Sequence, residues 1–283
     1  MPEHQARIRV GGPGAAPDVV GLHPGGFSAA RVEDLYAEAE RLGYDLALST
    51  LTRTRDEKQA VETLLDSRAE ALILLGAEAP AARLASLDRQ LPVVVVVRRI
   101  STAQLNVVRA SDDEGLGQVV DHLVELGHRS IAFIDGGKGT IASDRRRGYR
   151  TAMRRRRLAS QIRILSGDHT EEAGTRAAHQ LLAEDGLPSA VVASNDRCAV
   201  GLLSALIRSG VDVPGAVSVV GYDDSVLSRL ACFDLTTVSQ NARQQAHHAV
   251  AAAVERLDGE RSAPREIVLA PHLIVRGTTA AAP

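Results

Sequence analysis

An arginine fork, a side-chain amide and a carboxylate stand at three turning points of this sequence. They are Arg145 in R-R-R-G-Y, Asn195 in S-N-D-R-C-A-V-G and Asp223 in V-S-V-V-G-Y-D-D. A guanidinium offers a rigid set of donors that fits vicinal hydroxyls or a carboxylate. An amide both donates and accepts, and a carboxylate can accept from two hydroxyls at once. Together they are the chemistry of a polyhydroxylated ligand. Each also has a plainer reading. Arg145 is one of eight arginines between positions 145 and 157, Asn195 or Asp196 could cap a helix, and Asp223 or Asp224 could simply face water. We expect Asp196 to cap and Asn195 to meet the ligand. Gln240, after L-T-T-V-S, is a further candidate. Phe27 could stack on an apolar ring face, with core packing as its competing role, in a chain with three Phe and no Trp.

Other chemistry finds little support. Nine histidines show no compact metal spacing, and two cysteines, Cys198 and Cys232, make no disulfide framework. Cys198 lies in an apolar helical run and reads as a buried thiol. D-G-G-K-G-T at 135–140 lacks the lysine and hydroxyl spacing of a phosphate loop, and Gly115-x-Gly117 lacks the third glycine of a dinucleotide motif. No nucleophile elbow or base-paired Ser or Cys is visible. We therefore expect no enzymatic activity, no metal and no cofactor. His128 suits a structural hydrogen bond at a hinge, and His247-His248 an exposed helical stretch.

The elements that must position these residues alternate. Strands read at Asp18–His23, Asp45–Thr50, Ala71–Leu75, Pro92–Val97, Ser130–Asp135, Arg163–Ser166, Ala190–Ser194, Ser218–Tyr222 and Glu266–Leu269. V-V-V-V-V at 93–97 and S-V-V-G-Y at 218–222 are apolar on both faces, as in parallel sheets covered by helices. Between them lie helical stripes such as Val32, Leu35, Tyr36 and Ala39, closed by Gly43. This is a doubly wound α/β pattern with too many strands for one sheet. Ligands of such sheets bind beyond the carboxyl ends of the strands, where Arg145, Asn195 and Asp223 fall. Arg146, Arg150, Arg154 and Arg157 share a helical face expected to point into water.

From Asp112 onward the sequence resembles the lactose-repressor/galactose-repressor (LacI/GalR) family of transcriptional regulators. The matching stretches are DHLVELGHRSIAFIDGG (121–137), RRRGYRTAM (145–153), SAVVASNDRCAVGLLSALIRSGVDVPGAVSVVGYDD (189–224), LTTVSQ (235–240) and LAPHLIVRGTT (269–279), in family order. The resemblance implies a periplasmic-binding-protein-like type I fold: two doubly wound parallel-sheet lobes joined by three crossovers. The expected N-terminal lobe covers 18–127 and 241–263, and the C-terminal lobe 128–238 and 266–280, after a flexible tail at 1–17. It further implies a small-molecule effector, a sugar or sugar derivative, bound in the cleft, and a homodimer that contacts DNA only through a helix-turn-helix headpiece. Residues 1–17 contain nothing resembling such a headpiece. The chain departs from the family in H-P-G-G-F-S around Phe27, in Ser111 before Asp112-Asp113, and in Arg98-Arg99 where Asp-Arg is common. Arg98 suits an anionic effector such as a sugar phosphate or sugar acid; the alternative is an Arg98 turned outward or salt-bridged.

Bulk composition agrees. The chain has 283 residues, 45% hydrophobic, with a net charge of −2, so no general positive field draws it to nucleic acid or membrane. No apolar run approaches a membrane span and no secretory signal is present, which predicts a cytoplasmic protein. The leading expectation is the effector-binding core of a LacI-type regulator; the alternative is a solute-binding receptor of a sugar transport system.

Overall fold

The structure, a computed structural model, describes residues 18–22, 29–52, 54–100, 105–184, 186–259 and 263–283. The expected tail at 1–17 and the loop holding Phe27 lie outside them. The chain divides into two compact units, one running to Ala110 and resuming over Ala242–Leu269, the other formed by Ser111–Asn241 with Ala270–Pro283.

In the first unit, strands β1 (Asp18–Leu22), β2 (Leu46–Thr50), β3 (Leu72–Leu75), β4 (Val93–Val96) and β5 (Asn106–Ala110) alternate with helices α1 (Ala29–Arg41), α2 (Glu57–Asp66) and α3 (Ala81–Asp88). In the second, α4 (Asp112–Glu125), β6 (Ile131–Ile134), α5 (Thr140–Arg155), β7 (Arg163–Leu165), α6 (Glu171–Leu182), β8 (Ala190–Ala193), α7 (Asp196–Arg208), β9 (Ser218–Val220) and β10 (Thr237–Ser239) follow. Helix α8 (Ala242–Leu257) and strand β11 (Glu266–Leu269) return to the first unit, and β12 (His272–Ile274) closes the second.

The first sheet has the order β11-β5-β4-β3-β1-β2 and every pairing is parallel. Its central strands β3 and β4 are buried along their whole length, as their unalternating apolar sequence predicts. Val61 and Leu64 of α2 and Leu84 of α3 pack with Leu72, Leu74, Val93 and Val95. Helix α8 packs with α1 and lies against β3, β4 and β5. A capping box fixes the start of α2: Gln59 N donates to Asp56 Oδ1 (2.8 Å) and Asp56 N to Gln59 Oε1 (3.0 Å).

The second sheet, β7-β6-β8-β9, is also parallel. Successive residues of β6 point to opposite faces. Ile131 and Phe133 join the core under α4 and α5, whereas Ala132 and Ile134 join the core under α6 and α7. Cys198 belongs to this second core, where burial pushes its thiol up to about 12. Strands β10 and β12 form an antiparallel pair beside the sheet.

Three expectations change. Helix α4, expected in the N-terminal lobe, belongs to the second unit because it packs lengthwise on α5. Strand β11, expected in the C-terminal lobe, belongs to the first because it pairs in parallel with β5. The crossings therefore fall at 110–111, 241–242 and 269–270. Third, β5 was not foreseen: its sequence N-V-V-R-A carries Asn106 and Arg109, which spend their polarity on β11 and its approach. Arg265 N donates to Asn106 Oδ1 (3.0 Å) and Arg109 Nε to Glu266 Oε1 (2.6 Å).

Among the described residues no helix is long and apolar enough to cross a membrane, and no cluster of His, Cys, Asp or Glu could hold a metal ion.

Candidate effector-binding site

The R-x-x-G-Y segment explains itself once α5 is in place. Tyr149 is fully buried, stacks on Phe133 with ring centroids 5.3 Å apart, donates to Ile131 O (2.7 Å) and accepts from Arg163 N (3.1 Å). It thereby pins α5 to β6 and β7. Gly148 is where α5 crosses α4: a Cβ there would stand 3.1 Å from Asp113 Cα and 3.2 Å from Asp112 O. That close approach brings Arg145, one turn earlier, to the first residue of α4.

Arg145 is 3% exposed. Its Nε donates to Asp112 Oδ1 (3.1 Å), its Nη1 to Ser194 O, and its Nη2 to Asp223 Oδ1 (3.4 Å). The guanidinium carbon of Arg145 lies over the ring of Tyr222, 3.9 Å from the centroid. Gln240 Nε2 donates to the same Asp223 oxygen. Residues from α4, α5, the end of β8, the turn after β9 and the segment after β10 therefore meet at one edge of the second sheet. Arg145, Asp223 and Gln240 meet here and Asp112 joins them, whereas Asn195 makes its bonds elsewhere.

Burial works against the Arg145 charge, but Asp112 and Asp223 more than offset it and hold its pKa above the ordinary value. Burial pushes Asp112 upward, opposed by Arg145. Asp223 sits at φ 118° and Asp224 at φ 51°, both in the left-handed region. The turn is held by Asp223 N donating to Val238 O (2.8 Å) and by Asp224, whose carboxylate accepts from Arg229 and Arg276.

The cap expected of Asp196 is made by Asn195 instead. Asn195, in extended backbone, caps α7: its Oδ1 accepts from Cys198 N (2.9 Å), and its Nδ2 donates to His169 O (3.0 Å). Asp196 is already in the helix and cannot cap it. Its buried carboxylate accepts from Ser225 N (2.7 Å) and from Thr237 Oγ1. With burial first and the nearby Asp223 charge second, its pKa is raised to about 7.

Arg98 lies in the first unit, where its Nη1 donates to Ala77 O and Ala79 O at 2.6 Å each. The same short loop is gripped from the other side by Glu57, which accepts from Glu78 N (2.7 Å) and Ala79 N (3.2 Å). Of the basic face, Arg150, Arg154 and Arg157 are exposed as expected, but Arg146 is not a free surface cation: it donates to Asp135 Oδ2 and Gly137 O, both at 2.6 Å. Asp135 in turn accepts from Gly137 N and Gly167 N through its other oxygen, so D-G-G is a carboxylate-organised turn. His128 makes the structural bonds expected of it, to Ser189 Oγ and Ala280 O at 3.0 Å each, but away from the crossing at 110–111.

Sequence reasoning missed Asp112 and Tyr222 as members of this cluster. Asp112 opens the helix after β5, the strand whose polar residues concealed it; recognising β5 would have placed Asp112 at a strand tip beside the others.

Residues 120–279 match the family model of the periplasmic binding protein-like domain. The chain is 33% identical over 223 residues to the HTH-type transcriptional regulator GalR of Escherichia coli K12, a match covering 78% of this chain and 65% of that protein. The chain thus spans somewhat under two thirds of the length of this relative. A LacI transcriptional regulator from Rhodococcus is 42% identical, with a TM-score of 0.89 over 94% of this chain and 98% of that one. The transcriptional regulator CelR in complex with cellobiose is 27% identical, with a TM-score of 0.80 over 94% and 86%. With the domain match, the two parallel-sheet units and the end-to-end likeness to the Rhodococcus regulator, this chain belongs to the LacI/GalR family, on the periplasmic-binding-protein-like fold.

Proposed function

We propose that this chain is the effector-binding and dimerisation core of a LacI-type transcriptional regulator, with DNA contacted through a helix-turn-helix headpiece of the kind named for GalR. The observation that carries the ligand-binding part is the meeting of Asp112, Arg145, Asp223 and Gln240 at the carboxyl ends of the second sheet. Arg145 and Asp223 are the primary contacts, Gln240 orients Asp223, and Asn195 acts by holding the 167–169 turn in place.

The effector is a small sugar-like molecule. Within the second unit the charge of Arg145 already faces two carboxylates, which favours a neutral polyol. Arg98, the residue that suited an anionic sugar, has its Nη1 engaged by two carbonyls of its own unit. The solute-receptor reading is not favoured, because the relatives are regulators.

A thermal-shift screen pairing neutral sugars with their phosphates tests this. A ligand that binds only the native state raises the melting temperature by mass action. We expect stabilisation by at least one neutral sugar and loss of it in Asp223→Asn. Stabilisation by phosphates alone would refute the neutral-polyol reading, and an unchanged response in Asp223→Asn would refute the site. Sedimentation as a monomer would refute the dimer.

A further inference from the structure

We propose that Tyr222 is the positioning residue that sets the plane of the Arg145 fork, and that Gly115 is glycine so that Tyr222 can stand there. The inference deepens the proposed binding role of Arg145 and rests on that reading for its functional consequence. Gly115 is the fourth residue of α4 and its amide makes an ordinary helical bond to Ser111 O (3.0 Å). Nothing in its backbone asks for glycine, and in a helix interior glycine costs about 1 kcal/mol relative to alanine. The reason is spatial. A Cβ at Gly115 would stand 2.4 Å from the Tyr222 hydroxyl and 3.1 Å from Cε2 and Cζ of the ring.

The ring thus fills the slot between the first turn of α4 and the guanidinium. Tyr222 is fully buried, with α4 on its hydroxyl end and Arg145 on its face. The edges of the guanidinium are held by Asp112, Ser194 O and Asp223, and the surface beneath it limits how far it can lean out of the plane of those bonds. A flat aromatic floor supplies that surface, through a cation–π contact that favours parallel planes. Tyr222 also accepts from Asp196 N through its own carbonyl (2.8 Å), which ties the floor to the start of α7 and leaves it little room to retreat.

The test adds a methyl that touches neither Arg145 nor its partners. Gly115→Ala should push the ring toward the guanidinium; Gly115→Ala combined with Tyr222→Phe removes the hydroxyl and the closest clash. In protein labelled with 15N-arginine, the Nε–H of Arg145, identified by its disappearance in Arg145→Met, reports the fork without any ligand. We expect this resonance to move and exchange faster in Gly115→Ala, and to return in the double variant to the position it has in Tyr222→Phe alone, the reference that allows for the hydroxyl lying beside Asp112. Tyr222→Leu, which removes the floor without crowding α4, should also move it. An unmoved resonance in both Gly115→Ala and Tyr222→Leu, or failure of Tyr222→Phe to restore it, would overturn the proposal.

The functional arm uses cellobiose and a panel of neutral monosaccharides. Whichever stabilises the original chain should bind Gly115→Ala about tenfold more weakly and the double variant nearly normally, the size expected for coupled neighbours. If no sugar stabilises the original chain, the ligand reading fails while the resonance still decides the positioning claim. If sugars bind and Gly115→Ala binds them equally well, positioning fails while the ligand reading stands.

Discussion

Replacing Arg145 by Met should be far more damaging than removing a ligand contact normally is. The Arg145 side chain is 4% exposed and that of Asp112 9%, so the substitution strands a carboxylate in the interior. Removing one partner of such a pair costs about 3–5 kcal/mol. For a unit of this size each kcal/mol moves the melting temperature by about 3 °C, so the loss should be on the order of 12 °C. Arg145→Met with Asp112→Asn removes the two most buried charges and should recover at least half of it, because the remaining carboxylate, Asp223, is more exposed and keeps its bond from Gln240. The effect also has a pH signature. A buried Asp112 without its guanidinium has a folded-state pKa above its unfolded value, so the native state prefers the proton. The penalty is absent below the unfolded pKa and grows as pH rises through the folded one, making the variant's deficit larger at about pH 8 than at about pH 5. Urea and thermal denaturation followed by circular dichroism at both pH values measure each quantity. A deficit under about 1 kcal/mol, or a double variant no better than the single one, would refute the claim that Arg145 compensates Asp112.

Asn195→Ala removes the α7 cap and the bond to His169 O, and should cost about 1–2 kcal/mol in urea denaturation. Asp196, with its pKa raised to about 7, holds its proton in the folded state at mildly acidic pH, where the unfolded chain has lost it. The original chain should therefore lose stability as pH climbs from the unfolded carboxylate value through about 7, and Asp196→Asn should flatten that slope; parallel pH profiles would contradict it. Gly148→Ala places a methyl against the α4 backbone, which cannot yield like a side-chain tip, and should cost about 1–3 kcal/mol by equilibrium unfolding.

The fold was legible wherever burial on both faces left an unbroken apolar record. V-V-V-V in β4 announces a central parallel strand and S-V-V in β9 a strand buried on both faces, and the tip of β9 led directly to Asp223. What stayed hidden was polarity satisfied by distant partners. Asn106 and Arg109 disguise β5 because the groups that neutralise them, Arg265 N and Glu266, lie over 150 positions away. That one omission shifted the unit boundary and concealed Asp112. The Asn195 and Asp196 exchange has a different origin: both residue types can cap, and only the one-residue position of the helix start decides which does. Arg146 was misread because its partner, Asp135, belongs to a turn whose shape periodicity does not encode.

The order in which the chain is made conflicts with the order in which the first unit can close. Its sheet needs α8 over β3, β4 and β5, and β11 along the edge of β5, yet those pieces are translated only after the whole run from Ser111 to Asn241. At about 5–20 residues per second, the valine-rich strands emerge roughly 7–30 seconds before their covering helix is complete. The second unit has its main sheet and four helices in one uninterrupted run, but β12 and Thr278, which bonds to Val219 of β9, come at the very end of the chain. Neither unit is complete until the last residues are made, and the half synthesised first exposes its valine-rich strands the longest.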